Sequence, residues 1–556
     1  MRQVSQILSS RAVFVLLYCV FLWSLASSLV GILSVRVSVP NLVLGFAPSL
    51  VVGAACLGYW FYMTQRREGG FDLSFGRPRF SARLLLPLLF ASSVGAALMV
   101  LLSNSSSSAS VLMISLPYVV GLIAVVVLPV LRPPLGICAI ILTLPFAFVF
   151  HLVRRYQDES NLLGPVVMNP DILLILVGSL ALLLGFMARR RGLVRTGLDI
   201  PIAIFLLGSL VSLAFSPNLL ISSRVLFVGY LVPVLFYYLI VNGLRTKREL
   251  ILAVSALLFS LLLMAVYSLM AFERDTPTET LLSGDEKVNQ FFHNAGFYGL
   301  FLTSLLPLPL CLAISPAVSL RVRFALGLLF AIMLVALVFT YIRGAWLGSA
   351  VSLVVLLLMS SEVRRLFLRM SPLLLVAFLV SGGVVMQILW ARTYSVDAFF
   401  QSGSWTERVD TWQTGWQMAI HNPATGVGPG MFRYTYLDYK VGDDPFFWTN
   451  SHNLLLTVWA ETGFLAVAGL TGFFAISLWM GQRLFRSAKD PLVKAVSLGL
   501  FAGLIGYLVG ASLHGAILTH YTLDEEAFSG GHTLYLFLVP ALIIVMNRMQ
   551  DRAGQG

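Results

Sequence analysis

The chain has 556 residues, of which 58% are hydrophobic and only 11% are charged, and its formal net charge is +12. A soluble domain of average composition carries about 25% charged residues, so this chain cannot cover a water-exposed surface. The composition therefore excludes a soluble globular protein and indicates a polytopic membrane protein.

The apolar residues form continuous stretches of about 20 residues, which favours membrane-spanning helices over the alternating strands of a β-barrel. In chain order, these stretches lie near 12–33, 41–63, 84–102, 110–131, 134–152, 171–188, 199–215, 224–243, 250–272, 295–314, 324–342, 344–361, 372–390, 462–482, 495–514 and 533–547. The first is long for a signal peptide and is interpreted as a retained helix. We expect an all-α polytopic membrane protein with about 12 to 16 transmembrane helices.

The Lys and Arg residues cluster in short loops on one side of the predicted helices. Because basic loops stay in the cytoplasm, this pattern places both termini there, and it accounts for the positive charge without a nucleic-acid partner. The opposite side receives a large outer loop, 391–461. Loops longer than about 15 residues are usually functional or disordered. This one is too aromatic to be disordered, so we expect it to carry function.

One arginine, Arg343, is the only charged side chain between residues 324 and 361. An ionisable group in such a run needs a partner or a water-filled cavity, so it is a candidate functional residue. Its planar guanidinium suits bidentate binding of a phosphate. The alternative is an arginine that extends from a tight turn to the lipid head groups.

The first part of the outer loop, "SWTERVDTWQTGWQMAIHNP", predicts an amphipathic helix. Ser404 and Glu407 have the spacing of a capping box. An apolar stripe follows at helical spacing, formed by Val409, Trp412, Trp416 and Ala419. Such a helix lies at the membrane interface or, alternatively, offers aromatic faces that stack on sugars. The next stretch, "NPATGVGPG", is rich in glycine and proline and predicts a tight turn.

A second helix is predicted to open at "TNSHNLLLTVWAETG", with Ser451 as its N-cap. That cap places His452 in the first turn, where the helix dipole disfavours an imidazolium, so His452 would stay neutral and suit a general base. A capping or interfacial histidine is the alternative. Glu461 would face away from His452 on an unbroken helix, so no His–Glu dyad is expected.

Neither a metal nor another cofactor is expected from the sequence. The four cysteines lie inside apolar stretches without metal-ligand spacing. The nearest approach to an acidic pair on the outer side is Asp443–Asp444, which more simply forms a solvated turn before Pro445.

Taken together, "YIRGAWLG", "NPATGVGPGMF" and "SHNLLLTVWAETG" resemble the O-antigen ligase and polymerase superfamily of bacterial membrane glycosyltransferases. The resemblance covers roughly residues 200–485 and depends on the order and spacing of all three motifs. It implies a fold similar to that of type C glycosyltransferases. It also implies a metal-independent enzyme in the bacterial inner membrane. Such an enzyme takes a glycan from an undecaprenyl-diphosphate carrier, on the periplasmic side of the lipid bilayer, and passes it to a glycan, lipid A-core or protein acceptor.

The resemblance also implies roles for individual residues. Arg343 would hold the donor diphosphate, and His452 would activate an acceptor hydroxyl that attacks the anomeric carbon with inversion. A family pattern like "R..G.F.NPN" places Lys287 in the arginine position and Asn294 at the asparagine. Because lysine cannot bind bidentately, Arg274 in the same loop is an alternative second cation.

The complete set of expected site residues joins one catalytic residue to seven substrate-binding residues. The catalytic residue is His452, and the substrate-binding residues are Arg343, Lys287, Arg408, Asn453, Asn294, Arg433 and Glu461. We divide the chain into N-terminal transmembrane helices (1–198), a catalytic membrane region (199–485) and C-terminal helices (486–556). A ligase and a polymerase that joins lipid-linked repeat units are both compatible with these motifs. A flippase for the same carrier is a weaker alternative, because a transporter would carry charges near the bilayer midplane and duplicated halves. A membrane scaffold is also weaker, because it would not require Arg343 or His452.

Overall fold

The structure is a computed structural model, and it is entirely helical in its regular elements over the residues it describes. These residues are 133–143, 175, 179, 194–275, 295–371, 403–442, 448–514 and 531–555. Several predictions fall outside these residues: the spans before residue 133, the span at 372–390, and the site candidates Lys287 and Asn294. The predicted span at 171–188 is described only at residues 175 and 179. Asp443–Asp444 and the side chains of Arg274 and Ser404 lie outside the described residues as well.

The helices are numbered in chain order. They are α1 (Pro133–Thr143), α2 (Asp199–Ala214), α3 (Leu219–Val225), α4 (Val232–Gly243), α5 (Lys247–Asp275), α6 (Ala295–Leu305), α7 (Pro307–Ile314), α8 (Leu320–Phe339), α9 (Arg343–Met359), α10 (361–371), α11 (Gly403–His421), α12 (Phe432–Tyr439), α13 (Leu454–Ser487), α14 (Pro491–His514) and α15 (Gly531–Gln555). A π-helical turn, Leu226–Leu231, joins α3 to α4.

Seven stretches of the described residues are long and apolar enough to cross a membrane. They are Leu219–Gly243, Lys247–Val266, Ala295–Ile314, Leu320–Phe339, Leu454–Ser487, Pro491–His514 and Leu534–Arg552. The pair α9 and α10, bent by 111° at Ser360, is an eighth candidate. These helices confirm the prediction of an all-α polytopic membrane protein.

Close contact between the helices depends on small residues. The described residues from 194 onward belong to one compact unit, Ile140–Gly556. In it, α9 lies along α14, and α2 lies along α13. A side chain at Gly348 would collide with the backbone of α14, and one at Gly208 would collide with the backbone of Ala466. Glycines at such positions let helix backbones approach closely where a membrane protein lacks a hydrophobic driving force.

The helix ends divide into two groups of different character. At one end, here called the site end, α6, α9 and α13 begin and α14 ends, because Gly296, Gly344 and His452 all lie against His514. At the opposite end, called the basic end, Lys247 pairs with Asp490, and Arg548 donates to the carbonyl oxygen of Val241 at 2.6 Å.

Candidate functional site

A strained turn places Arg343 at the site end. Tyr341 has a φ of +52°, in the left-handed region that residues with a Cβ rarely adopt. The indole N–H of Trp346 donates to the carbonyl oxygen of Leu337 at 2.9 Å and so ties α9 to the end of α8. Arg343 is the first residue of α9 and is half-buried. The turn therefore fixes this arginine where two helices meet.

A second strained residue is His452 itself, with a φ of +53°. Its backbone N–H donates to Oδ1 of Asn450 at 2.7 Å, which holds the turn in this conformation. Among the described non-glycine residues, only Tyr341 and His452 have a positive φ. Backbone strain of this kind concentrates at functional sites, and both instances lie at the site end.

The predicted cap of α13 was wrong. Asn453, rather than Ser451, is the N-cap, because its side-chain oxygen accepts the N–H of Leu456 at 3.1 Å. Ser451 instead shares a hydrogen bond of 2.8 Å with the hydroxyl of Thr457. His452 therefore precedes the helix and does not lie in its first turn.

Two neighbours hold the imidazole of His452. Its Nδ1 lies 3.4 Å from the backbone carbonyl oxygen of His514, the last residue of α14. The indole of Trp448 contacts its ring edge to face, with 4.8 Å between the centroids. The side-chain amide of Asn453 also reaches α14 and donates to the carbonyl oxygen of Ser512 at 3.3 Å. The start of α13 is thereby fastened to the end of α14.

His514 joins this region to the helix that carries Arg343. A Cβ built on Gly344, the residue after Arg343, would lie 3.4 Å from the Cβ of His514. The imidazole of His514 lies directly over Gly296, near the start of α6, where any side chain would collide with it. Arg343 and His452 therefore flank the same residue, at the same end of the bundle.

Arg408 completes the cluster from α11. Burial and the positive charge of Arg343 both lower its pKa, and the neighbouring carboxylate of Glu407 opposes them. Arg408 in turn affects His452 electrostatically. The two arginines and the histidine, predicted as site residues from three separate segments, thus lie within electrostatic reach of one another, with Arg408 as their link.

His452 is neutral at physiological pH for a reason that differs from the predicted one. Burial, with a smaller contribution from the positive charge of Arg408, lowers its pKa to about 4, although the hydrogen bond to the His514 carbonyl acts in the opposite direction. The expected effect of the helix dipole does not account for this, since His452 lies before the N-cap. A neutral imidazole can accept a proton.

Glu461 holds the glycine-rich turn. Its carboxylate is 4% exposed and accepts the backbone N–H groups of Gly430 at 3.0 Å and Phe432 at 3.3 Å. A substrate-binding role for Glu461 stays a prediction. The contacts in the structure show a carboxylate that anchors a loop.

The glycine-rich turn also lies against a break in α13. Gly463 has a φ of +76°, which interrupts the helix. The freed backbone groups bond to the turn: Phe464 N–H donates to the Pro423 carbonyl at 2.8 Å, and Val427 N–H donates to the Ala460 carbonyl at 2.9 Å. The turn therefore replaces the helical hydrogen bonds that the break removes.

Serines of α2 and α3 support the same turn from the other side. The Ser212 hydroxyl donates to the carbonyl oxygen of Glu461 at 2.7 Å, and the Ser222 hydroxyl donates to that of Pro429 at 2.8 Å. The π-helical turn follows directly after α3.

The helix α11 exists as predicted, and the face that it packs against the protein is not the apolar stripe that was expected at the membrane interface or against sugars. Its buried residues are Thr411, Thr414, Gly415, Met418 and Ala419. The predicted stripe shares only Ala419 with that face, and Trp416 is 50% exposed. The reason is that small residues let α11 approach α13, since Gly415 leaves no room for a side chain beside Ser451. Arg433 lies half-buried at the second position of α12, and its role stays a prediction.

Two members of this site were not predicted from the sequence. His514 was expected only as part of a span, although its position at the last residue of that span was a signal comparable to that of Arg343. Trp448 lies in a loop, where no hydrophobic period can mark it. Its contact with His452 depends on how that loop folds.

The O-antigen ligase family model, Wzy_C, matches residues 328–471. This match supports the predicted resemblance to the O-antigen ligase and polymerase superfamily over these residues. The O-antigen ligase match contains Arg343, Arg408, His452 and Glu461, whereas Gly296 and His514 lie outside the matched residues. No curated protein matches the chain.

Proposed function

We propose that this protein transfers a glycan from an undecaprenyl-diphosphate carrier to an acceptor hydroxyl on the outer face of the bacterial inner membrane. Arg343 and Arg408 bind the donor diphosphate, and His452 is the general base. The family match supports an O-antigen ligase or polymerase type of function. The observation that carries the residue assignment is that Arg408 interacts electrostatically with both Arg343 and His452, which lie at the same end of the helix bundle.

The electrostatics of the cluster suit a diphosphate. Two guanidinium groups of like charge lie within electrostatic reach of each other in a partly buried site, and the carboxylate of Glu407 only partly offsets their repulsion. A diphosphate offsets this repulsion with bidentate hydrogen bonds. As the leaving group departs, fixed cations in a low-dielectric site stabilise its growing charge.

The transfer breaks one bond and forms one. The acceptor hydroxyl oxygen attacks the anomeric carbon from the face opposite the diphosphate, and the bond between that carbon and the diphosphate oxygen breaks. The hydroxyl proton passes to the imidazole of His452, and the electron pair of the broken bond leaves with the carrier diphosphate. The product therefore has the inverted configuration.

The distribution of charge supports the proposed orientation. Basic side chains are concentrated at the basic end, where they include Arg245, Lys247, Arg321, Arg365, Arg483, Arg486 and Arg548. Positive residues mark the cytoplasmic side of membrane proteins, so the site end faces the periplasm.

The reaction is tested with purified protein in liposomes, an undecaprenyl-diphosphate oligosaccharide, and three acceptors: lipid A-core, a second lipid-linked repeat unit and a protein. Mass spectrometry identifies the product. Transfer to lipid A-core or protein indicates a ligase, and head-to-tail joining of repeats indicates a polymerase. Absence of any transferred product would contradict the proposal, and movement of intact donor across the bilayer would support a flippase instead.

The variants His452→Ala and Arg343→Ala are expected to lose product formation by a factor of about 100 or more, as a base and an electrostatic stabiliser each supply that much. Their matched controls are His421→Ala, an exposed histidine at the end of α11, and Arg321→Ala, an exposed arginine at the basic end. Both controls are expected to keep normal activity. Normal transfer by His452→Ala would overturn its role as the base.

A further inference from the structure

The last described turn of α14 contacts His452, and neither the family match nor the sequence motifs assign a role to this contact. His514 lies outside the matched residues 328–471. Its backbone carbonyl oxygen lies 3.4 Å from Nδ1 of His452, and its own ring centroid lies 6.1 Å from that of His452. The contact therefore involves the helix end of α14 more closely than the imidazole of His514.

A carbonyl oxygen accepts hydrogen bonds and cannot donate them. The contact with the His514 carbonyl consequently requires the proton of the neutral imidazole to lie on Nδ1 of His452. In that tautomer, Nε2 carries the free electron pair. The partner of one ring nitrogen thus determines which nitrogen acts as the base.

Two carbonyl groups in the last described turn of α14 contact the residues before α13. The His514 carbonyl lies at hydrogen-bond distance from Nδ1 of His452, and the Ser512 carbonyl accepts from the side-chain amide of Asn453. Two bonds therefore join the start of α13 to this turn.

The position of His514 is fixed by two glycines. Its imidazole occupies the space over Gly296 that the side chain of any larger residue at position 296 would fill. Across from it, a Cβ on Gly344 would lie 3.2 Å from the Gly510 carbonyl oxygen and 3.4 Å from the Cβ of Leu513. The start of α6 and the start of α9 thus form a slot that holds the last turn of α14.

We propose that the last turn of α14, held in the slot formed by Gly296 and Gly344, is a positioning element that sets the tautomer and orientation of His452 through the His514 carbonyl. This inference depends on the proposed function, since it assumes that His452 is the base. His514 acts through its backbone and through the fit of its ring in the slot. The positioning residues are therefore Gly296 and His514.

The fit of the ring in the slot allows a compensation experiment. In Gly296→Ala the new Cβ takes the space of the His514 ring, and the proposal requires that the ring shift the end of α14 as it moves. This substitution is expected to lower kcat at least tenfold, because a displacement of about 1 Å at a reacting group can reduce the rate by about 100-fold. His514→Ala keeps the carbonyl and is expected to retain at least a third of the wild-type kcat. The double variant Gly296→Ala/His514→Ala removes the collision and is expected to recover to within threefold of His514→Ala.

The matched control is Gly327→Ala, since a Cβ at that glycine of α8 would meet no atom within 4 Å. It is expected to leave kcat unchanged. The KM for the lipid-linked donor is measured for all variants, together with the thermal unfolding of the detergent-solubilised protein. A positioning role predicts that Gly296→Ala lowers kcat at an unchanged donor KM in protein that remains folded.

Three outcomes would overturn the inference: normal kcat in Gly296→Ala, no recovery in the double variant, or loss of activity in His514→Ala. The last would indicate that the imidazole itself takes part in the reaction. Each of these outcomes is distinct from failure of the proposed function, which is decided by His452→Ala. If His452→Ala is inactive while Gly296→Ala is fully active, the base assignment stands and the positioning role is wrong.

Discussion

His452 lies partly buried within electrostatic reach of Arg408, and burial and that positive charge together lower its pKa to about 4. The imidazole is therefore neutral at pH 7, ready to accept a proton, but it is a weak base while the site is empty. A bound diphosphate adds negative charge next to the two arginines. Since an anion favours the imidazolium, donor binding raises the pKa of His452 and strengthens it as a base.

This relationship predicts different pH profiles for the two kinetic constants. The profile of kcat/KM for the donor reports the free enzyme, and that of kcat reports the donor complex. A depressed pKa keeps the base neutral at all pH values above it. The acid limb of kcat/KM is thus expected near pH 4, and that of kcat at a higher pH. Two coinciding limbs near pH 6.5, the ordinary value for histidine, would contradict this account.

Replacing Arg408 by Gln removes one of the two causes that depress the pKa of His452. The acid limb of kcat/KM is expected to move to higher pH, and the donor KM to rise, because Arg408 also binds the diphosphate. Arg321→Gln, at the basic end, serves as the control for the loss of a positive charge. A rise in KM with no movement of the acid limb would show that Arg408 does not act on His452.

The buried carboxylate of Glu461 gives a prediction about stability. Glu461→Ala leaves the N–H groups of Gly430 and Phe432 without their acceptor, and each buried unsatisfied group costs about 1–3 kcal/mol. Glu461→Gln keeps one acceptor oxygen and is expected to lose less. The free energy of unfolding is measured in detergent with urea or heat.

A matched control exists in the same chain. Glu249 also accepts two backbone N–H groups, from Arg245 at 2.7 Å and Thr246 at 3.0 Å, but these two hydrogen bonds are exposed. Water replaces its bonds, so Glu249→Ala is expected to cost only about 0.5–2 kcal/mol, as the loss of a helix cap does. Equal losses for both substitutions would show that burial of Glu461 is not what matters.

The break in α13 predicts that Gly463 cannot be replaced. Gly463→Ala must adopt a φ of +76° and would collide with the carbonyl group of Ala424. The left-handed conformation alone costs about 1–2 kcal/mol. Gly472→Ala in the same helix is the control, because its Cβ would make only an ordinary contact of 3.5 Å with Pro201. Thermal unfolding of both variants checks the difference.

The orientation of the site end is tested by labelling single cysteines in a protein whose four native cysteines are replaced by alanine. Gln413→Cys, exposed on α11, is expected to react with a membrane-impermeant maleimide in intact spheroplasts. Arg365→Cys, exposed on α10, is expected to react only after the membrane is disrupted. The reverse pattern would place the site in the cytoplasm.

The helices themselves were predictable because their signals are local. Apolar windows at 295–314 and 495–514 place the ends of Ala295–Ile314 and Pro491–His514 to within a few residues. The turn at Arg343 was also visible, since a lone charge in an apolar run needs an exposed position or a partner.

The non-local contacts of the site were not predictable from the same signals. Which of Ser451 and Asn453 caps α13 depends on the side-chain partner that each finds, and Ser451 bonds to Thr457 instead. The break at Gly463 depends on hydrogen bonds from a turn that precedes it in the chain. The buried face of α11 is formed by small residues that fit against α13. Hydrophobic periodicity alone identifies a different face, which carries the tryptophans.

The most direct test is a structure of the protein bound to undecaprenyl diphosphate, determined by cryo-electron microscopy in a lipid nanodisc. The account predicts that the diphosphate bridges the guanidinium groups of Arg343 and Arg408, with His452 beside it and its Nδ1 on the His514 carbonyl. A diphosphate bound at the basic end, or one that contacts neither Arg343 nor Arg408, would contradict this account.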